Sequence, residues 1–377
     1  MSNKNILLLA HDGEDFYKAR MPLARYLRKE GFQVFVLLPS DNYIDLIKQE
    51  GIHVEHSNLA RAVKNPLSLI KALFEVRGFA SKHQIGIVHS FKFVPNLINA
   101  FSNIFTKRKV ILHIAGLGIA FANTDFKYRI LKLLSQILFF LQFLRANLVI
   151  IQNPDDYGDF LFKSSFREKI KLVKGSGVDI TKFSPREAPI NYATLSRKLI
   201  FLCTTRLIWE KGIREMVEAF STLPEFLKQN IQLQIIGEPD YHNPRTVTPD
   251  YIEQFKNSEL IRFLGRQNNI PTFLRESDVF ILPSYYREGI PRSILEALAC
   301  GLPVITTNVP GCNLTVKNGE NGLMIEPRSV SAIKTAVETL ISQKVNWNAI
   351  GDASRKLALS EFSEETVFSQ IVKLYNL

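Results

Sequence analysis

Cysteine and long apolar runs are both scarce in this chain. Its 377 residues hold three cysteines, Cys203, Cys300 and Cys312. An odd number without framework spacing excludes a disulfide scaffold and fits a reducing compartment. The spacing fits no zinc site either. No run reaches the roughly eighteen apolar residues that a membrane span needs. The nearest approach, Ile130–Leu144, is interrupted by Lys132, Ser135, Gln136 and Gln142. The N-terminal residues do not read as a secretory signal. The apolar run Ile6–Ala10 passes at once into His11-Asp12-Gly13-Glu14-Asp15, as a buried strand passes into its loop. There is no low-complexity segment and no repeat of solenoid period.

The net charge of +11 is unevenly placed. Residues 1–185 carry 26 Lys and Arg against 15 Asp and Glu, and the remainder carries 21 of each, so the whole excess lies in the first half. A one-sided basic surface points to an anionic partner: lipid headgroups, a phosphorylated substrate or nucleic acid. No helix-turn-helix, zinc or RNA-binding signature accompanies the charge, which disfavours nucleic acid. Length suits two domains of ordinary size.

Short apolar strands alternate with amphipathic helices. The first half reads as strands at Asn5–Ala10, Phe32–Leu38, Ile52–Glu55, Ile85–Ser90, Val110–Ile114 and Asn147–Gln152, with helices such as Met21–Glu30 between them. A short strand at Lys171–Val173 precedes the hinge-like Gly175-Ser176-Gly177-Val178-Asp179 and Phe183-Ser184-Pro185. Alternation resumes with Leu199–Thr204, a helix at Gly212–Leu223, and strands Gln232–Gly237, Ile261–Leu264, Val279–Pro283 and Val304–Thr306. Helices follow at Ser329–Gln343 and Ser363–Leu377. Such βαβ alternation predicts an α/β protein of two Rossmann-like, doubly wound domains facing a cleft, with ligands at strand carboxyl ends. The expected division is 1–185, 186–362 and 363–377, the last a helix crossing back to the first domain.

Arg206 and Lys211 follow the strand Leu199–Thr204, and Glu288 and Glu296 stand eight positions apart after Val279–Pro283. Each feature alone has a plain reading: solvated cations, and a surface helix with two glutamates. Together they suit a sugar nucleotide. The cations meet a diphosphate and the carboxylates meet hydroxyls. Pro291 reads as a first helical residue, and Gly289 and Ile290 would offer backbone N–H groups at the helix start. In the first half Gly13, with Arg20-Met21-Pro22 downstream, and Gly116-Leu117-Gly118 could let backbone approach a phosphate, as could any βα turn. His89 and His113 end strands and read as structural. Phe126–Arg145, rich in Leu, Ile and Phe, reads as a core helix, with a helix at a membrane surface as the sharper alternative.

These residues resemble the family 4 glycosyltransferases of the GT-B fold over nearly the whole chain. The second-half motifs are Arg206…Lys211-Gly212, Phe263-Leu264-Gly265, Leu282-Pro283-Ser284, Glu288-Gly289…Glu296-Ala297, Gly301-Leu302-Pro303-Val304 and Asn318-Gly319-Glu320-Asn321-Gly322. In the first half Arg20-Met21-Pro22-Leu23, Asn65-Pro66, Pro95-Asn96, Gly116-Leu117-Gly118 and Gln152-Asn153-Pro154-Asp155-Asp156, with Gly177-Val178-Asp179 after them, resemble a bacterial subgroup that includes the PglA-like enzymes. The resemblance implies transfer of an N-acetylhexosamine from a UDP-sugar to a polyprenyl-diphosphate-linked saccharide at the cytoplasmic membrane face. It implies retention of anomeric configuration, no metal, no cofactor and no side-chain nucleophile. On the same basis Arg206 and Lys211 hold the diphosphate, Glu288 contacts donor-sugar hydroxyls and Glu296 the ribose. Two positions depart from the pattern. Ala115 stands where many members carry a histidine, with His113 two positions early. Val94 stands where the subgroup often has a lysine, with Lys92 nearby. Alternatives are a GT-B enzyme with another hexose donor or a soluble acceptor, and a sugar-nucleotide epimerase or hydrolase.

Overall fold

A computed structural model describes residues 4–39, 42–57, 66–117, 121, 126–192, 194, 196–241, 243–287 and 289–376. The chain divides into two compact units: Met1–Ser176 with Val367–Leu377, and Gly177–Thr366.

The first unit is built on seven strands: β1 (Asn5–Leu9), β2 (Gln33–Leu38), β3 (His53–His56), β4 (Ile87–Phe91), β5 (Lys109–Ile114), β6 (Leu148–Ile151) and β7 (Ile170–Leu172). Their order is β3-β2-β1-β4-β5-β6-β7, all parallel. The order reverses direction between β1 and β4. The central strands β1, β2 and β6 are nearly continuous apolar runs because helices cover both faces of a parallel sheet. Ile6, Leu8 and Val36 pack in one buried cluster, and Leu7, Leu9 and Val88 in another.

The second unit carries six parallel strands: β8 (Leu199–Thr204), β9 (Ile231–Ile236), β10 (Ile261–Gly265), β11 (Val279–Leu282), β12 (Val304–Thr307) and β13 (Gly322–Ile325). The order is β10-β9-β8-β11-β12-β13, reversing between β8 and β11. Strand β13 has no apolar alternation to betray it in the sequence. It pairs with β12 because Gly322 has no side chain: a Cβ there would lie 1.9 Å from the Val304 carbonyl oxygen. The helix Trp347–Leu357 is a second element that the periodicity did not single out.

The unit boundary falls at Ser176/Gly177, ahead of residue 185. The Val178 amide donates to the Phe362 carbonyl at 2.9 Å, and the Glu364 amide donates to the Val178 carbonyl at 3.1 Å. Phe183 is buried in the second core, and Arg355 donates to the Phe183 and Ile180 carbonyls. These bonds tie residues 177–185 to the second unit. The last helix, Glu364–Tyr375, belongs to the first unit from Val367 onward, where Val367, Phe368, Ile371 and Tyr375 are buried with β1 and β2 residues.

Among the described residues no helix is long and apolar enough to cross a membrane. Helix Phe126–Arg145 differs from a plain core helix. It buries Phe139 and Phe143 but leaves most of its other large apolar side chains exposed.

Candidate active site

In the second unit the loops after β8 and β11 meet at the point where strand order reverses, because β8 and β11 are paired neighbours. Ligands of doubly wound sheets bind at such points. The loop after β8 turns through a short 3-10 segment, Trp209–Lys211, and then enters helix Ile213–Ser221. The Glu210 carbonyl accepts from the Tyr285 amide at 2.8 Å, the Tyr286 amide at 3.1 Å and the Ser284 hydroxyl at 3.3 Å. Three donors on one carbonyl fasten the two loops together. Gly212 permits the approach. Its φ is +75°, and a Cβ would sit 2.2 Å from the Pro283 carbonyl oxygen.

Lys211 is buried, with its ammonium 5.8 Å from the centre of the Tyr286 ring. Its charge reaches Cys203 at the end of β8, whose thiol burial pushes up to about 12. Arg206 is half-exposed and pairs with Asp240 at 2.6 Å. The Glu210 side chain is also buried, 2.9 Å from Arg245 Nε. Asp240, Glu210 and Tyr286 were not singled out from the sequence. No spacing signals them, since their partners come from the loops after β8, β9 and β11.

Glu288 lies outside the described residues. Gly289 and Ile290 are buried beside the start of helix Arg292–Ala299. Pro291 is the N-cap of that helix and not its first residue, because its ψ of 119° is extended. Its carbonyl still accepts from the Ile294 and Leu295 amides at 3.1 and 3.3 Å. Glu296 is on the second turn, its side chain 17% exposed and 3.9 Å from Arg292. Burial raises its pKa above the usual carboxylate value, against the opposing charges of Arg292 and Lys182.

In the first unit Gly13 is buried and opens a helical turn capped by the Asp12 side chain. Arg20 is also buried, its guanidinium 4.6 Å from the centre of the Phe91 ring. Lys92 follows β4 with φ +71° and pairs with Asp15 at 2.9 Å. Burial alone would raise Asp15, but the charges of Arg20 and Lys92 lower it. Burial lowers Lys92 in turn. The loops after β1 and β4 thus share a charged cluster at this unit's own reversal point. Of this cluster the sequence offers Gly13 and Arg20 as a possible phosphate turn and Lys92 near Val94, but not Asp15. Gly116 and Lys92 line a cavity of about 100 Å³ together with Asn96, Leu117, Ser135 and Phe139. Gly118 lies outside the described residues.

His89 and His113 form a buried chain. The Tyr375 hydroxyl lies 2.5 Å from His89 Nδ1, His89 Nε2 lies 3.2 Å from His113 Nδ1, and His113 Nε2 lies 3.1 Å from Gln152. Burial lowers His89 to about 3, so it is neutral at physiological pH. One group among the described residues, His53, Glu55 and His83, has the donors for a metal ion. It lies at strand β3 and the end of helix Pro66–Lys82, and Lys82 shares the same Glu55 oxygen.

The family model for group 1 glycosyl transferases matches residues 187–357, and the glycosyl transferase 4-like model matches residues 5–153. Each half of the chain thus matches a glycosyltransferase family model. It is 26% identical over 381 residues to the N,N'-diacetylbacillosaminyl-diphospho-undecaprenol alpha-1,3-N-acetylgalactosaminyltransferase of Campylobacter jejuni, covering 98% of this chain and 97% of that one. It is 28% identical over 377 residues to the UDP-Gal:alpha-D-GlcNAc-diphosphoundecaprenol alpha-1,3-galactosyltransferase of Escherichia coli, covering 94% of each. Among solved structures, Anabaena HepE in complex with UDP superposes with a TM-score of 0.81 at 19% identity, over 99% of this chain and 100% of that one. A glycosyltransferase from Rickettsia africae superposes with a TM-score of 0.78 at 20% identity, over 98% and 97%. The two parallel-sheet units are those of the GT-B fold.

Proposed function

We propose that this glycosyltransferase moves an N-acetylhexosamine from a UDP-sugar to a polyprenyl-diphosphate-linked saccharide, within surface polysaccharide or O-antigen synthesis. The observation that carries the reading is the fastening of the Arg206–Gly212 loop to the loop after β11 through the Glu210 carbonyl. It brings a buried lysine beside the segment leading to Gly289, Ile290 and Glu296. The donor chemistry follows from those groups. Lys211 and Arg206 stabilise the charge that develops on the leaving diphosphate, in place of a metal ion. Backbone N–H groups at Gly289 and Ile290 add to the anion site. Glu288 holds donor-sugar hydroxyls and Glu296 the ribose. No side chain acts as nucleophile. The leaving phosphate takes the acceptor hydroxyl's proton on the face it departs from, so anomeric configuration is retained, as in family 4. Gly13, Arg20, Gly116 and Gly118 contribute to acceptor binding in the first unit, where Lys92 joins them.

The acceptor class is supported by the names of the Campylobacter and Escherichia relatives, both of which act on undecaprenyl-diphosphate-linked sugars. The basic first half supports a partner of the same kind, an anionic membrane surface at the inner face of a bacterial plasma membrane. The test is UDP release from a panel of UDP-sugars, with and without a polyprenyl-diphosphate monosaccharide in detergent. Acceptor-dependent release with one N-acetylhexosamine donor is expected. Equal release without acceptor would replace transfer by hydrolysis or epimerisation.

A further inference from the structure

We infer that one face of helix Phe126–Arg145 enters the interfacial layer of an anionic bilayer. Ile130, Leu133, Leu134, Ile137, Leu141 and Leu144 are each 37 to 59% exposed, and Phe126 at the helix start is 76% exposed. At 3.6 residues per turn these six positions fall within roughly 100° of arc. Phe139 and Phe143, both buried, lie on the opposite side and anchor the helix to the core. The helix is therefore apolar on two faces, and its fold uses one. Soluble proteins seldom leave a contiguous apolar stripe of this length uncovered without a partner for it.

Charge selects the partner. The helix contains Lys127, Arg129, Lys132 and Arg145 and no Asp or Glu. On the helical wheel Arg129 and Arg145 border the stripe on either side. Lys163 and Lys169 follow in the adjoining segment, where Lys169 donates to the Phe143 carbonyl. An apolar stripe edged by cations is the arrangement of a helix lying in a membrane interface, with acyl chains under the stripe and phosphates against the edges. The helix cannot serve by spanning, since its 20 residues carry too many charges for a crossing segment. The surface extends beyond one helix. Leu161 is 79% exposed, and its amide donates to Gln136, whose own amide group holds the Asp159 carbonyl. Leu67, Ile70 and Phe74 form a second exposed stripe on helix Pro66–Lys82. Both long helices pack against helix Phe93–Ser102. Ser135 and Phe139, on the core side of the helix, line the cavity that holds Lys92 and Gly116.

The inference deepens the membrane partner proposed above and rests on that part of it; it needs neither the donor nor the acceptor chemistry. Its test is sedimentation of the full chain with vesicles of phosphatidylcholine and phosphatidylglycerol, at low and high salt. A variant carrying Ile130→Gln, Leu134→Gln, Ile137→Gln and Leu141→Gln is compared with the wild type. The expected result is at least a tenfold loss of vesicle partitioning in the variant, with an unchanged thermal midpoint and unchanged turnover on a short-chain, water-soluble acceptor. Wild-type binding should persist in part at high salt, because the apolar contact is not screened. A single Ile137→Trp variant gives an independent signal, quenching of its added fluorescence by bromine-labelled acyl chains. Wild-type partitioning of the Gln variant, loss of all binding at high salt or no quenching in the Ile137→Trp variant would each overturn the inference. So would a wild-type dimer in solution that the Gln variant converts to monomer, since a second copy would then cover the stripe. Failure of UDP release with vesicle binding intact would sink the proposed reaction alone.

Discussion

Replacing Gly212 by alanine should damage this enzyme more than the same change at Gly319, and the difference measures the contact between two loops. Both glycines have left-handed backbones, φ +75° at Gly212 and +81° at Gly319. Left-handed conformation costs an alanine about 1–2 kcal/mol. At Gly319 the new Cβ meets nothing within 4 Å, so that cost is the whole effect. At Gly212 the Cβ would lie 2.2 Å from the Pro283 carbonyl oxygen. An ordinary contact needs more than an ångström of additional separation there, and both partners are backbone. Moving apart strains the bonds from the Tyr285 and Tyr286 amides to the Glu210 carbonyl, now 2.8 and 3.1 Å. Each such bond contributes about 0.5–1.5 kcal/mol, so the Gly212→Ala loss should reach about 3–4 kcal/mol. The displaced loop carries Lys211. A shift of that size at a group that stabilises a leaving diphosphate lowers turnover by on the order of 100-fold. Urea denaturation gives the stability of both variants, and UDP release gives turnover. Equal stability losses in the two variants, with near-wild-type turnover at Gly212→Ala, would refute the account of how the loops are joined.

Lys211→Ala and Glu288→Ala should each reduce transfer by at least 100-fold while circular dichroism and melting show a folded chain; near-normal turnover in both would remove the site assignment. Glu296→Gln should raise the donor KM and stabilise the protein at neutral pH. Burial raises the Glu296 pKa, so the native state takes up a proton more readily than the unfolded chain. Its contribution is then fully present below the ordinary carboxylate value and lost as pH rises through the native one. The melting gain of Glu296→Gln should accordingly shrink towards acid pH, and a pH-independent difference would contradict the burial argument. Tyr375→Phe leaves the buried His89 Nδ1 without its partner and should cost about 1–3 kcal/mol in a denaturant titration. Chelation by EDTA should leave turnover unchanged.

The sequence by itself determined the local structure. Runs such as Ile6–Leu9 and Phe280–Leu282 are short, apolar at consecutive positions and closed by turn residues, which suits a strand covered on both faces. The glycines and prolines after them mark where each strand must turn. Arg206 and Lys211 stood out in the sequence by their place after β8, and Glu288 and Glu296 by their spacing after β11. Boundaries were less legible. The division at Ser176/Gly177 depends on Val178 pairing with Phe362 and Glu364, a contact that no local pattern encodes. Only the tertiary structure decided what meets what. The loops after β8 and β11 are neighbours because β11 pairs with β8, and parallel pairing across an intervening pair of strands leaves no trace in local periodicity. The Lys92–Asp15 pair follows in the same way from β4 beside β1. Helix Phe126–Arg145 is apolar around most of its circumference, so its sequence could not say which face the core would take. Packing of Phe139 and Phe143 chose one face and left the stripe from Ile130 to Leu144 outside.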